Sequence, residues 1–398
     1  MNVNTQPPNP LQAQGITGAP TRNSSIELLR LACILMFVGF PYVLVSANEW
    51  LAQQPITVSK IACQMIMAGG WIGNFVFFTI SMWFLIDRDA TLRSSLKRIW
   101  ILERELLFWS ITLFAATAFL RHRGINAPGP SLSTLAERSA LPISMTLWWY
   151  PTAYALFLFF LFFLPFLNDC MRRLTARRHQ QLAFGCLLLW GVLGMIPRFD
   201  YDLGYNTVFL FIYWYILISC YRWHMREFST RACWLLIGGG IAIELAYLLG
   251  GNLYYAHTGT AIDLQWFIFD KGTLTSMMIG FGMFLLVSRT DIRSRFVNVL
   301  AASAFGVYLI QYYPPIFLAW LDAFPFQRMY NSPHPVPSVL TVIIGVFLVC
   351  LLLDLVQQAI FKLTCDRHRG RLFDRVYSAA HNKWVSIRDS RQESLLNS

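Results

Sequence analysis

Charge is scarce in this chain, and histidine is missing from the segments that make up most of it. Only 13% of its residues are charged while 56% are hydrophobic, a balance too apolar for an ordinary soluble domain. The histidines, His122, His179, His224, His257, His334, His368 and His381, all fall outside the long apolar runs. The commonest general base is therefore absent from those runs. The cysteines have no metal-ligand spacing and lie mostly within or beside apolar runs, so neither a metal site nor a disulfide framework is expected. No glycine-rich phosphate loop and no repeat of clear period occurs. No basic stretch with an apolar core and a small-residue cleavage site precedes the first apolar run, so that run is expected to persist as a span.

What remains is a series of apolar segments, each long enough at 1.5 Å per residue to cross a hydrocarbon core of about 30 Å. They run from Ile26 to Ala47, Ile66 to Ile86, Ile101 to Leu120, Leu147 to Leu167 and Gln181 to Ile196, then Tyr205 to Tyr221, Ala232 to Leu249, Gly272 to Val287, Asn298 to Trp320 and Pro337 to Phe361. The fold class they predict is all-α: a polytopic transmembrane bundle of about ten helices. Lysine and arginine collect in alternate connections, around Arg88 to Arg98, Arg172 to Arg178, Arg222 to Arg231, Arg289 to Arg295 and Arg367 to Arg375. Cytoplasmic loops retain such charge, which puts both termini in the cytoplasm, although Arg121, Arg123 and Arg138 dilute the contrast. The net charge of +11 then reflects this bias and attraction to anionic membrane lipid, and no nucleic-acid partner is expected. Residues 1–21, rich in Pro, Gln, Asn and Gly, are predicted to be a disordered cytoplasmic tail. Residues 22–363 form the membrane domain, and residues 364–398 a basic cytoplasmic tail with an interfacial helix near Leu372 to Ser378.

Four strings stand in order along the chain: RNSSIELLRLACILMFVGFPYV from Arg22, GGWIGNFVFFTISMWFLI from Gly69, LWWYPTAYALFLFFLFFLPFLN from Leu147 and SAFGVYLIQ from Ser303. Together they resemble the acyltransferase-3 family, multi-helix membrane O-acyltransferases that decorate bacterial surface glycans. The resemblance implies an acyl-CoA co-substrate, acetyl-CoA above all, a glycan acceptor and a bacterial plasma membrane. It also implies a catalytic histidine eleven residues after Arg30, often with another just before it, and one in the ninth helix. Here those positions hold Pro41, Phe40 and Gln311. The family's Ser-Gly-Tyr in the second helix is Ser81, Met82 and Trp83, and its paired arginines entering the third helix correspond to Lys97, Arg98 and Arg104 in a different spacing.

An arginine inside the membrane must find partners. Arg30 has Glu27 one helical turn before it, and the phosphates of a coenzyme A thioester would be another partner for its planar fork. Arg98 and Arg104, beside Lys97, are further candidates for holding that donor; an interfacial salt-bridge cluster is the alternative. Gln311 can donate a hydrogen bond to a carbonyl but is no base at neutral pH. Glu244, near the middle of the seventh span, is the candidate substitute base, because an ionised carboxylate at that depth is expensive; a protonated, hydrogen-bonded structural glutamate is the alternative. Trp149, Tyr154 and Tyr308, with Trp148, Tyr150, Tyr312 and Tyr313, could stack on sugar rings or serve as an interfacial belt. Asp354 reads as structural, and His257 and His334 as loop residues. Pro41 removes a backbone donor and frees carbonyls in the preceding turn. Acyl transfer is the leading function. A catalytically degenerate partner in surface-polysaccharide production, motivated by the absent histidines, and a polysaccharide transporter are the alternatives.

Overall fold

Short polar caps set the helix starts. The side-chain oxygen of Asn23 accepts a 2.8 Å bond from the Ser25 amide to open α1 (Ser24–Gln53). Thr57 caps α2 (Val58–Leu85) through the Lys60 amide, and Thr91 and Ser94 form a reciprocal box at the start of α3 (Leu92–His122). The chain continues through α4 (Leu132–Ala140), α5 (Trp149–Phe163), α6 (Phe166–Arg173) and α7 (Ala176–Cys186), the last running on into a π-helical turn and a short 3-10 turn that end at Met195. Then come α8 (Val208–His224), α9 (Thr230–Thr258), α10 (Leu274–Ser288), α11 (Arg295–Ala302), α12 (Ala304–Gln311), α13 (Pro314–Ala323), α14 (Phe326–Tyr330), α15 (Pro335–Leu363) and α16 (Arg371–Leu396). This computed structural model describes residues 23–86, 91–163, 166–196, 207–260, 272–364 and 371–396, and no strand occurs among them. The tail 1–21 lies outside the described residues.

Among the described residues α2, α9 and α15 are each long and apolar enough to cross a membrane. The expected ninth span is not one straight helix. α11 and α12 together meet α13 at 80°, because Pro314 and Pro315 have no N–H to continue the ladder and instead start a new helix. On α15, Leu340, Ile344, Leu348, Leu352, Val356 and Ile360 recur every fourth residue and are exposed, while Val339, Ile343, Val346, Cys350 and Asp354 are buried. A soluble helix would not leave that stripe uncovered; lipid covers it at no cost.

Small residues decide which helices approach. A Cβ on Gly73 would meet the Cys33 carbonyl, Gly69 faces Met36, and Gly39 faces Ile66, so α1 and α2 run antiparallel with their backbones close. Gly240 lies against the Thr275 carbonyl and Gly282 against that of Cys233, which joins α9 to α10. Of the three consecutive glycines in α9, Gly240 makes this backbone approach, whereas Gly238 meets nothing. The α1–α2 pair is flanked by α10, α12 and α15.

Candidate active site

The start of α1 is stitched to the loop before α11. The Ser24 amide donates to the Ile292 carbonyl at 2.9 Å, Asn23 Nδ2 to the Thr290 carbonyl at 2.8 Å, and the Ser294 amide to Ser24 Oγ at 2.9 Å. This fixes the turn that carries Glu27 and Arg30. Glu27 is buried, and Arg30 Nη1 reaches its Oε2 at 2.9 Å. The guanidinium also lies 5.8 Å from the centre of the Phe77 ring, a cation–π contact.

Arg30 lines a cavity of about 190 Å³ together with Phe77, Ser81, Tyr150, Tyr154 and Phe305. Arg98 hydrogen-bonds the Tyr154 side chain, so two arginines bear on the same hydroxyl. Deeper along α1 and α2 is a second, much smaller chamber of about 20 Å³, lined by Cys33, Phe37, Gly73, Asn74 and Tyr308, with Phe77, Tyr150 and Phe305 shared between the two. The shared rings form a neck. α1 and α2 are antiparallel, with Cys33 level with Gly73 and Met36 with Gly69; Arg30 and Ser81 line the outer cavity, and Cys33, Phe37, Gly73 and Asn74 the inner chamber.

Beyond this chamber α12 is tied to α1. Pro41 has no N–H to give the Phe37 carbonyl four residues earlier. That carbonyl accepts from Tyr312 Oη at 3.3 Å, and the adjacent Val38 carbonyl accepts from Gln311 Nε2 at 3.2 Å. The carbonyl that Pro41 leaves free is met by Tyr312, and Gln311 bonds the one beside it, so the residues standing at two of the resemblance's histidine positions both bear on one turn of α1. Asp354 holds the opposite end of α12. It accepts from Trp109 Nε1 at 2.9 Å and packs so closely on Gly306 that a Cβ there would land on its carboxylate. Trp148 Nε1 takes the Leu309 carbonyl at 3.0 Å. The helix bearing Tyr308 is therefore anchored along its length.

Of the residues expected from sequence, the fold brings Arg30, Glu27, Arg98, Tyr154 and Tyr308 to this passage. Arg104 lies over the Phe361 ring, 6.0 Å from its centre, and Trp149 packs on Tyr150 and Phe211; neither lines the cavities. Glu244 is fully buried on α9 and lines neither cavity. Two residues that sequence reasoning passed over or read as an aromatic belt, Asn74 and Tyr150, face the passage. An amide in the middle of an apolar span was the available signal for Asn74.

A family model described as an acyltransferase domain, of the acyltransferase-3 kind, matches residues 23–355. The chain belongs to that family. The match begins at the cap of α1 and ends one residue after Asp354, so it takes in both chambers and every residue that ties α12 to its neighbours. No curated protein and no solved structure matches the chain. As an acyltransferase-3 protein with long apolar helices, it is a membrane acyltransferase in general terms, and its passage is the place where Arg30 and the buried polar groups meet.

Proposed function

We propose that this protein takes an acyl group, acetyl by the resemblance, from cytoplasmic acyl-CoA and transfers it to a hydroxyl of a cell-surface glycan or its lipid-linked precursor. In this reading it crosses the bacterial plasma membrane ten times with both termini cytoplasmic. The observation that carries the reading is the passage itself, which has arginine at its wide end and narrows between aromatic rings to a chamber too small for anything but a small group. Arg30, with Arg98 beside it, suits donor phosphates, since guanidinium groups bind phosphate bidentately. The neck suits the thin pantetheine arm and the thioester. Tyr154 and Tyr308 are the stacking surfaces nearest to such a substrate, with Trp149 behind them. Glu244 and Gln311 stand as the candidate catalytic groups, and Glu244→Gln tests the first.

A binding or assembly role without catalysis is favoured by one observation, the Phe40, Pro41 and Gln311 residues where the resemblance implies histidine. The deciding experiment is expression with labelled acetyl-CoA, followed by analysis of surface glycan for O-acetyl label. Transfer above an empty-vector control supports catalysis. Label equal to the control, appearing only after Pro41→His, would instead identify a degenerate enzyme.

A further inference from the structure

Asn74 sits in the apolar middle of α2 with its side chain at the inner chamber. It is 4% exposed, and neither its nitrogen nor its oxygen has a hydrogen-bond partner among the described residues. An amide buried at membrane depth with nothing to bond is costly, and leucine would fill similar space without that cost. Retaining asparagine there makes sense if a ligand supplies the missing partner. The chamber, about 20 Å³, has room for roughly one water-sized group. A carbonyl oxygen fits and a sugar ring does not. Gln311, the other amide of the region, already has one N–H committed to the Val38 carbonyl.

We propose that Asn74 is a catalytic residue that binds the thioester carbonyl of the acyl donor through Nδ2 and stabilises the oxyanion formed on it; this rests on the acyl-transfer reading above. The acceptor hydroxyl oxygen bonds to the carbonyl carbon, and the C=O electron pair moves onto the oxygen that Nδ2 holds. When the carbonyl re-forms, the C–S bond breaks. Its electron pair leaves with sulfur, which takes the proton given up by the hydroxyl, so an ester and free coenzyme A thiol result. Asn74 exchanges no proton. Its contribution is a fixed dipole aimed where charge develops.

The test uses the full chain in nanodiscs and acetyl-CoA labelled with ¹³C at the thioester carbonyl. In the wild type, binding should move the labelled carbonyl stretch to lower wavenumber, as hydrogen bonding to a carbonyl does. Asn74→Leu should still bind acetyl-CoA, no more than about tenfold more weakly for one lost neutral hydrogen bond, melt no lower than wild type, and show no such shift. Its rate of label transfer to glycan at saturating acetyl-CoA should fall by much more, roughly 10²–10³, the usual loss for one oxyanion donor. Asn74→Ser, which keeps a short donor, should restore part of both signals and covers the case in which the leucine variant fails to fold. Wild-type protein that binds no acetyl-CoA overturns the acyl-transfer reading as well. Binding without a shift, or a shift and rate that survive Asn74→Leu, overturns the Asn74 assignment alone.

Discussion

At the scale of single residues, Arg30 and Glu27 cannot be probed separately without confusion. Removing the arginine would take a counter-charge from a buried carboxylate, and the resulting instability would mask any effect on the donor. The double variant Glu27→Gln with Arg30→Gln removes both charges while keeping polar side chains of comparable size. It should fold and raise the acetyl-CoA KM by roughly 10–100-fold, corresponding to about 1.5–3 kcal/mol for hydrogen bonds to a charged group. Saturation kinetics at fixed acceptor checks this, and an unchanged KM would remove Arg30 from donor binding. Gly306 is constrained by shape alone. Gly306→Ala places a methyl on the Asp354 carboxylate and should lower stability by about 1–3 kcal/mol or more, the usual overpacking range, read as a lower melting temperature in detergent.

At the scale of helices, the turn of α1 before Pro41 and the end of α12 form one device. Pro41 leaves the Phe37 carbonyl without its helical donor, and Tyr312 supplies one. Tyr312→Phe should therefore cost about 1–3 kcal/mol, the penalty of an unsatisfied buried carbonyl. In a Pro41→Ala background, which restores the backbone N–H, the same substitution should be close to neutral. A double-mutant cycle measures this coupling, and additive effects would show that the two sites are independent. The C-terminal helix α16 docks by charge. Asp374 accepts from Arg93 and Lys97 of α3, each at 2.8 Å, with Phe373 beside Trp100. Those cations hold the Asp374 carboxyl below its ordinary range. A depressed folded-state pKa contributes docking stability that is present above the ordinary carboxylate pKa and is lost as pH falls through the folded value. Hydrogen-exchange protection of the first turns of α16 should thus be constant at neutral pH and decline in acid below the usual aspartate range. Asp374→Asn should reproduce the acid behaviour at neutral pH.

For the whole molecule, the proposed ten-crossing topology puts the loops near Arg177 and Arg226 in the cytoplasm. Single cysteines placed there should then react with an impermeant thiol reagent only after the cells are opened, and one near Pro128 should react in intact cells. The reverse pattern would invert the orientation. The sequence by itself determined whatever depends on local spacing or on composition. Apolar runs of about 20 residues specify membrane helices because unpaired backbone groups cannot remain in lipid. The three-residue spacing of Glu27 and Arg30 puts them on one face of a helix, where they pair. The four family strings could be read in order because each occupies a single segment. Only the tertiary structure decided which of the candidate polar groups meet. Arg98 turns toward Tyr154 and Arg104 toward Phe361, although they lie six positions apart on the same helix. Gln311 is bonded to the Val38 carbonyl, 273 positions earlier in the chain. Asn74 lacks any partner among the described residues, a property that no stretch of sequence contains. The physical reason is common to these cases: hydrogen-bond satisfaction and cavity shape depend on neighbours brought from distant segments by close helix packing at positions such as Gly73 and Gly306, and local sequence fixes a helix but not what faces it.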